Sequence, residues 1–415
     1  MAATATSIAQ PPTPPRLSIV VLPFANLSSD AEQQYLADGI TEDLTTDLSR
    51  IAHMFVISRN TAFTYKDKPI NARQIGRELG VRYVLEGSVQ RSSNRVRVNA
   101  QLIAAETDAH LWAERFDREM GDLLALQDEI TRGIAAALNA ELVAAEAARP
   151  TEHPDALDYI LRGRAVWSGW PTEENFAQAV RLFDQALTLD PQSVEAQTWL
   201  ADVLSLHTLR QQTDRAAADI ARAEELVKQA LAASPRNSHA HYDKAQILRA
   251  QGRCRDAIPE FETVISLNPN FASAYANLGW CKFLTGSMED VIPLEEKALR
   301  LILRGPFVGV LYQRIGTAHL LQSHYEDAIR WLEKARNATS WPAEVRSYLA
   351  SAYALTGEGE HAAAELAEAR RMSPDDRYSS MARLRAVEHY GSPKIQALRE
   401  ATYFFGLRKA GMPEE

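Results

Sequence analysis

From Leu17 to Leu22 the chain is almost continuously apolar and rich in branched residues, and Pro23 closes the run. A strand buried on both faces reads this way, so the pattern predicts the central strand of a sheet. After Asn26-Leu27-Ser28-Ser29-Asp30 the apolar residues Leu36, Ile40, Leu44, Leu48 and Ile51 recur at helical spacing, with Glu42, Asp43 and Asp47 on the opposite side; this is the stripe of an amphipathic helix. Met54 to Ser58 predicts a second short strand, and Asn71 to Leu79 a further helix ended by Gly80. From Val81 the period changes to two. Val96, Val98, Ala100 and Leu102 alternate with Arg95, Arg97, Asn99 and Gln101, which leaves one face of the strand wet. Ser92-Ser93-Asn94 and Glu106-Thr107-Asp108 supply the turns of a meander that runs on through His110 to Asp117. A closing helix from Gly121 to Glu146 carries the stripe Leu126, Ile130, Ile134, Leu138 and Leu142. Together these elements predict an α/β domain over residues 17–148, a mixed sheet with flanking helices.

Beyond residue 156 the pattern repeats itself with a period of ~34 residues. The eighth place of successive units holds Gly163, Ala201, Ala245, Gly279, Gly316 and Ala350, each small enough for close helix contact. The twentieth place holds Ala179, Ala223, Ala257, Val291, Ala328 and Ala362, and the twenty-seventh Ala186, Ala230, Val264, Ala298, Ala335 and Ala369. A helix-ending proline recurs as Pro191, Pro235, Pro269 and Pro374, with Leu303 and Ser340 in its place at the two remaining joints. In these positions residues 156–376 resemble the tetratricopeptide repeat family, about six units in all. Extra residues around Trp170-Pro171-Thr172, from Gln211 to Ala218 and at Gly305-Pro306-Phe307-Val308 are expected in loops at helix corners, and residues 377–415 as capping helices and a tail. The resemblance implies an all-α superhelix whose first helices line a concave groove with their second, fifth, ninth and twelfth places. Those places hold His239, Tyr242, Gln246 and Arg249, then Trp280 and Phe283, then Gln313 and Thr317. Tyrosine, tryptophan and arginine dominate binding hot spots, so these eight residues are the candidate surface for a protein or peptide partner. The competing reading of Trp280 and Phe283 is that they pack between neighbouring helices.

The segments Ser18-Ile19-Val20-Val21-Leu22-Pro23-Phe24, Tyr35-Leu36-Ala37-Asp38-Gly39-Ile40, Val81-Arg82-Tyr83-Val84-Leu85-Glu86-Gly87 and Ala109-His110-Leu111-Trp112-Ala113-Glu114-Arg115 together resemble the TolB-like amino-terminal domain in its cytoplasmic bacterial form. In that family the domain lies between an upstream signalling domain and downstream repeats. The upstream domain is often a class III adenylate or guanylate cyclase, and sometimes a winged-helix DNA-binding domain. Here 16 residues precede Leu17, too few for a nucleotide-binding catalytic core. With prolines at 11, 12, 14 and 15, residues 1–16 read as a disordered linker.

Composition narrows the function further. Lys plus Arg of 45 against Asp plus Glu of 54 gives a net charge of -9, which repels a nucleic-acid backbone. No apolar run reaches the ~20 residues of a membrane span and no secretory signal opens the chain, so a cytoplasmic location without membrane insertion is expected. Cys254 and Cys281 belong to no ligand cluster, and neither a phosphate-binding glycine loop, a dinucleotide fingerprint nor a zinc-protease His pair occurs. Asp38, Glu42, Asp43 and Asp47 read as a solvated helix face in preference to a cation site. His239 and His241 diverge on their helix, and Arg95 and Arg97 follow from strand alternation. No cofactor or metal is expected. The sequence thus points to a non-catalytic interaction scaffold or signalling adaptor. The alternatives are the regulatory half of a class III cyclase whose catalytic domain is missing or separately encoded, and the effector part of a transcriptional regulator.

Overall fold

A computed structural model describes residues 14–28, 34–51, 53–66, 68, 70–92, 95–119, 123–167, 172–210, 215–302, 307–338, 342–387 and 391–415. Most of the expected proline-rich linker lies outside these residues, as do Ser93 and Asn94 of the expected hairpin turn. So do Trp170, Pro171, Gln211, Gly305 and Pro306 of the expected insertions, and the joint residues Leu303 and Ser340. The chain divides into two units, Met1–His153 and Pro154–Glu415.

In the first unit the strands are β1 (Ser18–Val21), β2 (Ala25–Asn26), β3 (Phe55–Val56), β4 (Tyr83–Ser92), β5 (Arg95–Ala104) and β6 (Ala109–Glu119). The helices are α1 (Gln34–Ser49), α2 (Arg59–Phe63), α3 (Ala72–Leu79) and α4 (Leu123–Ala147). The sheet runs β3-β1-β4-β5-β6, with β2 also pairing β4. β1 is parallel to β3 and β4, while β4, β5 and β6 form an antiparallel meander. The apolar run expected as the central strand is interior, but the hub is β4, which pairs with β1, β2 and β5. Pro23 has no N–H to give a ladder, and the chain that begins as β1 resumes as β2 only beyond it, whereas β4 runs for 10 residues. Val20, Val84 and Ile103 face α2 and α3, packing with Ala62, Ala72 and Ile75. Strand alternation turns Ile19, Val21, Leu85 and Leu102 to the other face, where α1 and α4 bury Ile40, Leu44, Ile134 and Leu138. Glu146 near the end of α4 is 5% exposed and is held by Tyr83 Oη at 2.6 Å and Arg82 Nη1 at 2.7 Å. Burial and the Glu146 carboxylate push the Tyr83 phenol above its ordinary range.

Among its described residues the second unit holds helices and no strand. Six pairs follow one another: α5 (Ala156–Trp167) with α6 (Glu173–Leu189), α7 (Val194–Arg210) with α8 (Ala216–Ala233), α9 (Ser238–Ala250) with α10 (Cys254–Leu267), α11 (Ala272–Thr285) with α12 (Met288–Leu301), α13 (Val308–Leu321) with α14 (Tyr325–Ala338), and α15 (Pro342–Thr356) with α16 (Gly359–Met372). The small residues sit where helices touch. All six at the twentieth place and all six at the twenty-seventh are buried. At the eighth place the reason is steric, because a Cβ on Gly163 would lie 2.7 Å from the Phe183 ring and one on Gly316 2.7 Å from Leu332. The carboxyl end closes with α17 (Met381–Val387), α18 (Pro393–Arg399), a π turn at Glu400–Phe404 and α19 (Phe405–Lys409). This terminal cap packs on the last repeats: Ile395, Tyr403, Phe404 and Leu407 join the core shared by α11 to α16.

Candidate functional site

The first helices of neighbouring repeats touch, α5 with α7, α7 with α9, α11 with α13 and α13 with α15, so their side chains form one lining. On α9, His239 is exposed and stands between the rings of Trp199 at 5.9 Å and Phe271 at 4.9 Å. Tyr242 stacks on Phe271 at 4.8 Å, and its Oη accepts from Asn277 Nδ2 at 3.0 Å. Arg249 donates through Nη1 to Gln246 Oε1 at 2.5 Å and to Asn277 Oδ1 at 2.9 Å. The four α9 candidates therefore form one network tied across to α11. The other four gather around a small recess between α11, α13 and α15, lined by Trp280, Phe283, Gln313, Arg314, Thr317 and Glu344. Trp280 lies flat against Phe283, centroids 5.1 Å apart, and Arg314 covers it at 4.9 Å.

Not all eight are open to a ligand. Phe283 is 2% exposed and belongs to the core shared by α11 to α16. Gln246 at 1% is likewise buried, as are Thr317 and Tyr242, whereas Arg249, Trp280 and Gln313 are half-buried. The twelfth place of a first helix is thus half-buried in one repeat, as Arg249, and in the core in the next, as Phe283. Polarity decides which. The sequence reading missed the sixth places, where Trp199, Asp243, Asn277 and Arg314 stand. They fall on the same stripe as the second and ninth places, three or four residues away, and that spacing was the available signal.

Electrostatics along this lining are uneven. Glu295 on α12 is fully buried, its Oε1 lies 3.4 Å from Arg314 Nη1, and burial lifts its carboxyl to about 7 against the pull of that guanidinium. Asp243 is 1% exposed, and burial, then the neighbouring Asp202, push its carboxyl well above the carboxylate range. Burial and then the field of Arg314 push Arg249 down. Among the described residues no carboxylate comes within salt-bridge distance of Arg249.

The remaining candidates resolve into local pairs. On α1, Asp38 meets Lys66 at 3.1 Å, Asp47 meets Arg50 at 3.0 Å, Glu42 meets Arg59 at 3.4 Å, and Asp43 accepts from Gln127 at 2.6 Å. Each carboxylate has its own partner, and among the described residues no group of three or more His, Cys, Asp or Glu is placed to hold a metal ion. His241 turns away from His239 to Glu260, 2.7 Å off. The first unit has a cleft of its own, about 860 Å³, at the carboxyl end of β1, where Phe24, Lys66, Glu86, Asn99, Gln101 and Arg115 converge. No helix among the described residues is long and apolar enough to cross a membrane.

Comparison with known proteins follows the same division. Residues 15–133 match the second domain of HilA/YgeH-like transcriptional regulators, and residues 172–206 and 214–279 match tetratricopeptide repeat models. The chain is similar to putative adenylate cyclase 3 of Rhizobium meliloti (strain 1021), 40% identical over 255 residues, which cover 60% of this chain and 43% of that protein. It therefore spans less than half the length of this relative. Among solved structures it is similar to the Cut9-Hcn1 hetero-tetramer of APC/C (18% identity, TM-score 0.49, covering 65% of this chain and 50% of that one). A second similar structure is pilF of Pseudomonas aeruginosa (19% identity, TM-score 0.43, covering 60% and 97%). Six helix pairs with small residues at their crossings give the carboxyl-terminal unit a tetratricopeptide-like fold, and tetratricopeptide repeat models match within it over residues 172–206 and 214–279.

Proposed function

We propose that the chain is a non-catalytic, cytoplasmic scaffold or signalling adaptor in which the repeats seat a segment of a partner protein on their first-helix face. The observation that carries this reading is the lining itself. From α7 to α11 Trp199, His239, Phe271, Tyr242, Asn277 and Arg249 are tied in turn by ring contacts and hydrogen bonds, and Trp280 with Arg314 over its ring extends the lining to α13. Such side chains combine contact area with directional polar groups. The first unit, read as a TolB-like domain, senses or transmits a signal, and its cleft is of the size that small ligands occupy.

A second reading, the regulatory half of a class III adenylate or guanylate cyclase, is supported by the 40% identity to a putative adenylate cyclase. A third, the effector part of a transcriptional regulator, is supported by the HilA/YgeH-like match over residues 15–133. In that case DNA contact would fall to another chain or domain, since the net charge of -9 opposes phosphate binding here.

The test is affinity capture from the native cell with the wild type and a Tyr242→Ala/Arg249→Ala/Trp280→Ala variant, read by mass spectrometry with helix content checked by circular dichroism. The expected outcome is loss of a partner from a variant that keeps its helices. A captured cyclase catalytic chain selects the second reading and a DNA-binding chain the third. Retention of every partner by the folded variant refutes the groove assignment.

A further inference from the structure

The sheet of the first unit ends unevenly: β6 is an edge strand of 11 residues, whereas β3 at the opposite edge has 2. From Trp112 to Glu119 the register of β6 with β5 is unbroken, and the shift at Leu102/Ile103 lies outside this stretch. In an antiparallel ladder alternate residues turn their N–H and C=O groups away from the neighbouring strand. Among the described residues β6 has no backbone hydrogen bond from these strand positions other than to β5, while the Asp117 carbonyl accepts from a side chain, Arg118 Nη1 at 3.1 Å. Ala113, Arg115 and Glu119 are exposed along the strand, and Phe116 between them is buried. A long open edge of this kind is a template for a further strand.

The charges along β6 select which strand fits. Residues 114–118 read Glu114, Arg115, Phe116, Asp117 and Arg118. Two copies of one strand pair antiparallel about a twofold axis perpendicular to the sheet, and because each side chain keeps its face, the axis passes beside a residue. With the axis at Phe116, Glu114 stands opposite Arg118 of the second copy and Arg115 opposite its Asp117, and the twofold repeats both pairs. An axis at Glu114, Arg115, Asp117 or Arg118 instead sets that charged residue against its own copy. Opposite charges facing each other across strands are stabilising and like charges destabilising, so the Phe116 register is favoured over its neighbours. Within one chain the same side chains are already drawn along the strand: Asp117 meets Arg97 at 2.7 Å and Arg115 at 3.2 Å, and Arg118 meets Glu129 at 2.9 Å. We propose that β6 pairs with β6 of a second copy of this chain about Phe116, which joins the two sheets into one across a twofold dimer. This interface is separate from the repeat groove and does not depend on the reading of it.

The experiment is sedimentation equilibrium of the full chain across the micromolar range, with circular dichroism as the folding control. Arg115→Asp and Asp117→Arg are measured singly, mixed with each other, and combined in one chain. The expected result is a wild-type dimer and single variants whose dissociation constants rise at least ~10-fold, since each faces like charges across the axis. Mixing the two single variants brings opposite charges together again, as does combining both changes in one chain, and each should recover the dimer. A wild type that stays monomeric overturns the proposal and leaves the edge to a strand of another protein. A dimer that the single variants leave unchanged overturns it, as do folded variants that neither mixing nor combination restores.

Discussion

At the scale of single residues, the buried charges of the repeat unit set a pH dependence that can be signed in advance. Glu295 has its folded carboxyl near 7, while in the unfolded chain it returns to about 4.5. Between these values the folded state holds the proton that the unfolded state has released. The contribution of Glu295 is therefore complete below about pH 4.5 and is lost as pH rises to 7, by on the order of 3 kcal/mol for a 2.5-unit difference. Urea midpoints of wild type and Glu295→Gln across pH 4.5 to 7.5 should show the variant gaining relative stability as pH rises and levelling off above 7. A constant difference across the range refutes the assignment. None of this was legible in the sequence, where Glu295 is one more acid on the second helix of a repeat. Its burial follows from Gly279 opposite, which leaves room for the carboxyl: a Cβ there would stand 3.0 Å from Glu295 Oε1.

At the scale of elements, the small residues mark the joints and the cap shows how little clearance they leave. Gly406 packs against α15 so closely that a Cβ would come within 2.2 Å of Ser351 Oγ and 2.6 Å of the Ser351 carbonyl oxygen. The backbone cannot yield locally, because Ser351 Oγ donates to the Tyr403 carbonyl at 2.9 Å and Ser347 Oγ meets Tyr403 Oη at 2.8 Å. Gly406→Ala should cost about 2 kcal/mol, the usual scale of overpacking. The loss should appear as a lower urea midpoint and faster proteolysis beyond residue 391. Unchanged values would mean that the cap and α15 are not held together by this contact. The crossings inside the repeats were legible because they recur: a single alanine says little, but one at the same place in successive units records a helix contact. The cap was legible only as leftover apolar sequence, since it occurs once. Its π turn at Glu400–Phe404 has no sequence signature of its own.

At the scale of the whole molecule, each unit closes an interior of its own, the sheet and its helices in the first and the stacked pairs in the second. Residues 154–415 produced alone should therefore give a helical spectrum and a cooperative thermal transition, with the cap closing the core of the last repeats at the carboxyl end. A fragment without cooperative melting would show that the repeats need the first unit to fold. Periodicity determined the elements of this chain, the two classes of fold and the line of first helices, because hydrophobic burial acts on local patterns of spacing two and 3.6. Tertiary structure alone decided that β4 and not β1 is the hub of the sheet, and that Phe283 enters the core where Arg249 stays half-buried. It also decided that Arg249 and Arg314 bond to adjacent residues of α11, Asn277 and Ala276. Those outcomes depend on distances between residues far apart along the chain, and no local spacing encodes them.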